Sequence, residues 1–264
     1  MNKTIALIIG VCLTAACSND TTSDNATATA PAPTGASVYQ QALDAPGRTD
    51  ADLARDAGRK PDEVLAFFGV EPGMTVLDTF SGGGYYTELL SRVVGPDGEV
   101  IAHTNSAYAQ FVGEEATNRY ANNRLPNVEI LLAENNELRL PADTFDAVMM
   151  ILAYHDIYYI DPDNGWPEID GPKLVAELYR GLKPGGVLGV VDHFAETGAG
   201  RETGNTLHRI DPGIVIHERE QAGFVLDGES EALRNPDDDY SLNMAAPEVR
   251  GKTDRFILRF RKPE

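Results

Sequence analysis

Residues 75–94 have the sequence TVLDTFSGGGYYTELLSRVV, in which a short apolar run meets three consecutive glycines and then a helical pattern. The run Thr75–Thr79 predicts a buried strand, and the stretch Tyr85–Val94 predicts a helix. A strand that enters a helix through a glycine-rich turn is typical of a crossover unit that binds a cofactor at that turn. This segment therefore predicts an α/β fold with a binding site at the end of its first strand.

Strand and helix patterns alternate on both sides of this unit. Further strands are predicted at Glu99–His103, Val128–Leu132, Phe145–Leu152, Val187–His193, Phe224–Glu229 and Arg255–Arg261. Helices are predicted from Asp50 onward and at Pro61–Phe68, Ala107–Asn122, Gly171–Leu182 and Pro212–Gly223. Strands that alternate with helices predict a mainly parallel sheet that is covered by helices on both faces.

The charge of the chain limits its partners. Among 264 residues, 41 are acidic and 22 are basic, which gives a formal net charge of −19. A nucleic-acid site needs clustered basic side chains that neutralise phosphates, so this excess of acid argues against DNA or RNA as a partner. The apolar fraction of 42% is sufficient for a packed core.

The amino-terminal residues have the pattern of an export signal. Lys3 precedes the apolar run Ile5–Leu13, which is too short to span a bilayer, and Leu13-Thr-Ala-Ala-Cys17 follows. That last segment resembles the lipobox of bacterial lipoproteins, in which the cysteine carries the lipid. The resemblance implies a signal peptide at residues 1–16, a lipidated and disordered tether at 17–37 and a folded domain at 38–264. With Ser18 after the cysteine, it also implies a membrane anchor at the periplasmic face of the outer membrane; an ordinary signal peptide cut nearby is the alternative.

Both cysteines lie in this amino-terminal region, Cys12 inside the predicted signal peptide and Cys17 at the predicted lipidation site. Residues 18–264 contain none. The predicted domain therefore has no disulfide, no cysteine nucleophile and no thiolate metal site.

Four segments in order resemble the motifs of class I S-adenosylmethionine-dependent methyltransferases, over roughly Val64–Lys262. They are Val76–Gly84, Leu140–Val148, Leu182–Leu188 and Ala222–Phe224. The resemblance implies a Rossmann-like fold with a mainly parallel seven-stranded sheet and an antiparallel late strand. It also implies S-adenosylmethionine as cofactor and methyl transfer to a small-molecule acceptor. Together with the leader, the segment Leu207–Asp211 resembles a group of predicted exported bacterial methyltransferases.

The resemblance assigns the cofactor site to the turn after the first strand. Asp78 corresponds to the strand-end acid that faces the cofactor's ammonium group, and Ser81 lies in the loop. Gly82 and Gly84 are predicted to let the main chain approach the methionine part, where a Cβ would clash. Phe80 departs from the family pattern, which commonly has glycine at that position.

A second departure affects the nucleoside part of the predicted site. The family usually has Asp or Glu at the end of the second strand to bind the ribose hydroxyls, but here Thr104 and Asn105 stand there. Neutral hydrogen bonds from these side chains are weaker than those of a carboxylate. Glu134, after the third strand, corresponds to the acid that contacts the adenine amino group.

Two His-Asp neighbours follow adjacent central strands and are predicted to converge beside the cofactor. His155 and Asp156 come after the fourth strand, and Asp192 and His193 end the fifth. His155 is the predicted general base because an unperturbed imidazole titrates close to neutral pH. Asp156 or Asp192 would orient an imidazole or bind substrate, His193 belongs to the same predicted catalytic set, and His208 would close the site from above.

Two further interpretations remain open. The missing ribose acid is consistent with an exported, non-catalytic ligand-binding protein on the same fold. Alternatively, histidine and aspartate side chains suit a first-row metal, although their spacing matches no local zinc motif and no metal is assigned. The candidate ligands for this metal-dependent site are His155, Asp156, Asp192, His193 and His208. The aromatic residues Tyr154, Tyr158, Tyr159 and Trp166 are candidates for the wall of an acceptor pocket.

Overall fold

A seven-stranded sheet forms the centre of the protein in a computed structural model that describes residues 37–264. The strands are β1 (Thr75–Thr79), β2 (Glu99–Thr104), β3 (Val128–Leu132), β4 (Phe145–Ile151), β5 (Leu182–His193), β6 (Val225–Ser230) and β7 (Arg255–Arg261). Their order across the sheet is β3-β2-β1-β4-β5-β7-β6, and β7 runs antiparallel to both of its neighbours. This confirms the predicted mainly parallel, Rossmann-like sheet with an antiparallel late strand.

The helices of the described part follow the predicted alternation. They are α1 (Val38–Leu43), α2 (Asp50–Arg59), α3 (Pro61–Phe68), α4 (Tyr85–Val94), α5 (Ser106–Val112), α6 (Glu114–Tyr120), α7 (Gly171–Gly181), α8 (Glu202–Leu207) and α9 (Pro212–Gln221). Local signals explain several of their ends. Thr49 caps α2 in a reciprocal capping box with Asp52, and Gly69 ends α3 at a φ of +71°.

Two predicted elements differ from the structure. The single helix predicted over Ala107–Asn122 is divided into α5 and α6, because Gly113 adopts a φ of +53° that a right-handed helix cannot continue. Strand β5 begins at Leu182 instead of Val187. The glycine turn that precedes the predicted start is joined to the last strand, since Gly185 N donates to Lys262 O and Lys262 N donates to Gly186 O.

Hydrophobic cores lie on both faces of the sheet. Leu77 and Val148 point into one core, while Val76 and Ala147 point into the other, as the two-residue period of a strand requires. The central strands are therefore apolar along almost their whole length. Their carboxyl ends meet at one edge, and polar side chains gather there.

Residues 1–36 lie outside the described part of the chain, and with them the predicted signal peptide, the predicted lipidation of Cys17 and nearly all of the predicted tether. These remain predictions. Among residues 37–264, no helix is both long enough and apolar enough to cross a bilayer.

Candidate functional site

The glycine turn after β1 presents bare main chain at Gly82. This residue has a φ of +57°, and a Cβ built on it would have no protein atom closer than 3.9 Å. Ser81, Gly82 and Asp78 border a hollow of about 140 Å³, and Tyr108 and Leu152 also line it. Gly82 therefore has the open surroundings that were predicted, in which a cofactor can come into contact with the main chain.

Gly84 has different surroundings from those predicted. A Cβ there would collide with the hydroxyl of Tyr120 and would lie 2.7 Å from Arg119 Cδ. Both side chains belong to the α6 region, and Arg119 Nε also donates to Gly83 O at 2.5 Å. Gly84 thus permits close packing of α6 on the turn, and it does not border the hollow.

Asp78 is buried at the end of β1 with few partners. Thr87 Oγ1 donates to Asp78 Oδ2 at 2.6 Å, and no cationic side chain forms an ion pair with Asp78 among the described residues. Burial raises the pKa of Asp78 from 3.8 to about 7, and the Thr87 hydrogen bond only partly offsets it. A buried carboxyl without a cation suits a ligand that brings an ammonium group.

The predicted nucleoside contacts are distributed unevenly. Thr104 borders a second hollow of about 480 Å³ together with Ser81 and Gly82. Asn105 is committed to the fold, because its buried side chain caps α5 and accepts from Tyr108 N at 2.8 Å. Glu134 borders neither hollow, and its carboxylate accepts from Ser106 N at 3.2 Å.

Asn135, next to Glu134, was not predicted from sequence as a site residue. Its side chain is 7% exposed, and its Oδ1 is buried without a hydrogen-bond partner. Such an unpaired acceptor is costly. It lies directly beside the acid predicted to face the adenine amino group, and no local motif distinguished it from the polar residues around it.

The two His-Asp neighbours do converge, through Asp192. This aspartate is fully buried, and its Oδ1 lies 2.7 Å from His155 Nδ1. Its Oδ2 accepts from the backbone N of His155 at 2.7 Å, and its Oδ1 also accepts from His193 N. Asp192 therefore fixes both the ring and the main chain of His155.

Asp156 lies between two imidazoles. Its Oδ1 is 3.3 Å from His155 Nε2 and 3.4 Å from His208 Nδ1, and its Oδ2 accepts from the Tyr108 hydroxyl. His208 follows α8 in the left-handed region at a φ of +50°. Gly204 lets α8 approach, since a Cβ there would lie 2.7 Å from His155 O. We call His155, Asp156 and His208 the His-Asp-His cluster.

The electrostatics of the cluster differ from those assumed for a general base. Burial alone would lower the pKa of His155, but the carboxylates of Asp156 and Asp192 outweigh it and raise the pKa from 6.5 to about 9. Burial would raise the pKa of Asp156, yet His155 and the hydrogen bonds from His208 and Tyr108 lower it. At neutral pH His155 is an imidazolium between two carboxylates, so it donates protons and does not accept them.

His193 stands apart from the cluster. Its ring centroid is 5.7 Å from that of His155, but its Nδ1 is 2.6 Å from Thr253 Oγ1. Burial and the neighbouring positive charges, first that of His155 and then that of Arg255, hold the pKa of His193 well below its usual range. Asp192 and His193, which the sequence also offered as metal ligands, thus have other partners. Among the described residues, the His-Asp-His cluster is the group whose ligand atoms lie close enough to hold one ion.

The predicted aromatic wall separates into two groups. Trp166 lies edge-on to Tyr159 and to Tyr108, with ring centroids 5.3 and 5.2 Å apart, and Tyr159 contacts His208 at 4.7 Å. Tyr154 and Tyr158 instead donate to Glu218 on α9. Tyr108 was not predicted from sequence, because its position in α5 carries no motif. It borders the smaller hollow and its hydroxyl donates to Asp156.

Part of the chain is similar to known proteins. Residues 77–190 match the family described as a methyltransferase domain. The chain is 32% identical over 125 residues to the ubiquinone/menaquinone biosynthesis C-methyltransferase UbiE of Marinomonas sp. (strain MWYL1), and 33% identical over 125 residues to that of Pasteurella multocida (strain Pm70). These alignments cover 47% of this chain, and it spans 44% and 41% of those two relatives.

Solved structures support the fold. A SAM-dependent methyltransferase from Aquifex aeolicus has a TM-score of 0.56 at 24% identity, covering 85% of this chain and 98% of that one. The phosphoethanolamine N-methyltransferase 2 of Haemonchus contortus, in complex with S-adenosyl-L-methionine, has a TM-score of 0.55 at 17% identity, covering 88% and 61%. The [4+2]-cyclase SpnF has a TM-score of 0.56 at 20% identity, covering 83% and 85%.

Proposed function

We propose that the chain, whose residues 77–190 match a methyltransferase domain, is a class I methyltransferase that transfers a methyl group from S-adenosylmethionine to a small-molecule acceptor. The observation that carries the proposal is the open main chain of Gly82, at the end of the first strand of the family's sheet. The net charge of −19 supports an acceptor other than nucleic acid.

The residues around the glycine turn fit the methionine part of the cofactor. Asp78 supplies a buried carboxyl for the ammonium group, and Gly82 leaves room for close main-chain contact. Thr104, which borders the larger hollow, is the candidate hydrogen-bond group for the nucleoside part. When bound, the cofactor would supply a sulfonium methyl group, whose carbon an acceptor atom would attack in line while the bond to sulfur breaks and S-adenosylhomocysteine leaves.

The protein's own contribution is alignment and exclusion of water. Tyr108 separates the smaller hollow from Asp156, and burial and Asp156 hold its pKa well above 10, so it keeps its proton and donates it to that carboxylate. We assign Tyr108 to the wall that the acceptor meets. His155 has carboxylates at both ring nitrogens and is therefore a positioning residue for Asp156 rather than the base predicted from sequence.

A non-catalytic ligand-binding role is the second candidate. Thr104 in place of the ribose acid favours it, and the neighbour named as a [4+2]-cyclase illustrates that this fold is not restricted to proteins named methyltransferases. In that case the larger hollow, which is lined mostly by apolar side chains, would be the ligand site.

Calorimetric titration of the purified protein with S-adenosylmethionine and with S-adenosylhomocysteine separates the two candidates. Methyl transfer requires that both bind to a single site. If neither binds at millimolar concentration, the methyltransferase proposal is wrong and the ligand-binding role is favoured.

The location of the protein is a separate proposal. We propose that Cys17 is lipidated and anchors the domain at the periplasmic face of the outer membrane, on the lipobox pattern of residues 13–17. Cells that express the full chain and are fed a labelled fatty acid should incorporate label, and a Cys17→Ser variant should not. Equal labelling of both forms contradicts the anchor.

A further inference from the structure

We propose that the His-Asp-His cluster binds a divalent first-row transition metal through His155 Nε2, Asp156 Oδ1 and His208 Nδ1. This inference does not depend on methyl transfer, because it rests on the ligand atoms alone. One ligand atom of each residue lies within 4.8 Å of the other two, and Asp156 Oδ1 is 3.3 Å from His155 Nε2 and 3.4 Å from His208 Nδ1.

The two separations from Asp156 Oδ1 match the distance between neighbouring ligands in a metal coordination sphere. Zinc bonds to histidine nitrogen and carboxylate oxygen are about 2.0–2.2 Å long, so ligands of a tetrahedral site lie roughly 3.3 Å from each other. When the ion displaces the proton of His155, two neutral imidazoles and one carboxylate form a donor set that suits Zn²⁺, Co²⁺ or Fe²⁺. Mg²⁺ and Ca²⁺ prefer all-oxygen sites and are disfavoured here.

The groups behind the ligands have the arrangement that metal sites use. Asp192 Oδ1 holds His155 Nδ1 at 2.7 Å, which directs the other ring nitrogen toward Asp156. A carboxylate behind a histidine ligand fixes the ring tautomer and makes the imidazole a stronger donor. Tyr108 occupies Asp156 Oδ2 in the same way and leaves Oδ1 for the two imidazoles.

The cluster is buried on one side and open on the other. His155 and Asp156 are 1% and 7% exposed, whereas the side chain of His208 is 23% exposed. Three protein ligands leave at least one coordination position free, as in catalytic rather than structural zinc sites. Because the side chain of His208 is partly exposed, we expect that position to be reached from the solvent side of His208.

The three residues of the His-Asp-His cluster come from two separate parts of the sequence. His155 and Asp156 belong to the 3-10 turn His155–Tyr158 after β4, whereas His208 is more than fifty residues further along. Only the close approach of α8 at Gly204 and the left-handed backbone of His208 bring its Nδ1 to Asp156. A left-handed histidine is uncommon, and here it places a ligand atom.

Cobalt titration tests the proposal. The purified full chain, freed of metal by a chelator and dialysed, is titrated with CoCl₂ while visible absorption is recorded, and ZnCl₂ is then added. We expect one equivalent of Co²⁺ to bind with an intense low-symmetry spectrum that Zn²⁺ removes. His208→Ala, at a partly exposed position, should weaken Co²⁺ binding by about 100-fold or more.

A second ligand variant and a control variant test whether Co²⁺ binds at this cluster. Asp156→Asn should weaken binding comparably, while His217→Ala, which removes an exposed histidine on α9, should leave it unchanged. Circular dichroism verifies that each variant is folded. The proposal is overturned if the parent protein binds no Co²⁺ below millimolar concentration, or if folded His208→Ala binds it as tightly as the parent. Because cofactor titration is a separate measurement, either result leaves the proposed function to its own test.

Discussion

The end of β1 and the ends of β4 and β5 share one edge of the sheet, but they are built in opposite ways. At β1 the functional element is main chain, exposed by Gly82. At β4 and β5 it is a set of side chains, in which Asp156 and Asp192 surround His155. The site at β1 is formed by consecutive residues, whereas the site at β4 and β5 depends on contacts between residues far apart in sequence.

The glycine turn is itself supported by buried charge, and removing that charge should give the largest effect. Arg119 lies 2.9 Å from Asp52 and 2.6 Å from Glu88, all three nearly inaccessible to solvent. Arg119→Met leaves buried carboxylates short of a partner and should lower the free energy of unfolding by about 3 kcal/mol in urea titrations. Arg55→Met, which removes a partly exposed partner of the same Asp52, should cost less than about 1 kcal/mol. Equal losses would show that burial does not distinguish the two pairs.

Gly82 tests whether the main chain at β1 is the cofactor contact. Gly82→Ala should reduce S-adenosylmethionine affinity by about 100-fold, or about 2.7 kcal/mol, because its methyl group occupies the open space at the turn. Gly69→Ala is the matched control, since Gly69 also has a positive φ and free space around it. Both variants should lose about 1 kcal/mol of stability from the left-handed backbone, but only the first should lose cofactor affinity in calorimetry. Loss of affinity in both variants, or in neither, would contradict the assignment.

Asp192 tests the side-chain site. In the parent protein, the backbone N and the ring Nδ1 of His155 contact the two carboxylate oxygens of Asp192. Asp192→Asn replaces one of these oxygens by an amide NH₂ group, which cannot accept, and should lower the free energy of unfolding by about 2 kcal/mol. The measurement is made with chelator present, so that no ion contributes. Asp227→Asn, at a partly exposed ion pair with Arg259, should change stability by less than about 1 kcal/mol. A smaller loss for Asp192→Asn than for Asp227→Asn would mean that the network around His155 is not structurally required.

Asp78 gives the most specific effect, a dependence of stability on pH that is smaller over any one pH unit than the effects of the three substitutions above. Its pKa is about 7 in the folded protein and 3.8 unfolded, so the folded state binds the extra proton between these values. Stability should therefore fall as pH rises from about 4 to 7, by up to about 1.4 kcal/mol per pH unit, and should not change further above that range. Thermal unfolding of the parent and of Asp78→Asn isolates this slope, because only the parent contains the group. Identical slopes would mean that the Asp78 carboxyl is not buried without a cation.

The same contrast explains what the sequence could predict. The strand and helix alternation, the order of motifs and the open Gly82 follow from local patterns, and the sheet confirms that fold. The break at Gly113 was not predicted because an isolated glycine inside a helical pattern is tolerated and does not by itself mark a helix end. Convergence of His155 with Asp192 was predicted from strand ends, since neighbouring parallel strands must end together.

The chemistry of the cluster could not be predicted in the same way. A pKa depends on which charges lie within a few ångströms, so the near-neutral value expected for His155 did not survive the presence of two carboxylates. Tyr108 contacts Asp156 across 48 residues, and no spacing in the sequence marks it as a partner. Likewise, the sequence predicted Gly84 to contact the cofactor, but the structure shows α6 packed against it.

Trp166 is the single tryptophan of the 264-residue chain, and it lies edge-on to Tyr108 and Tyr159 beside the His-Asp-His cluster. Light absorbed by indole is consequently emitted from one known place in the molecule. Rapid mixing with a quenching ion or an aromatic compound would report arrival at this opening in real time, on unlabelled protein and before any product is identified.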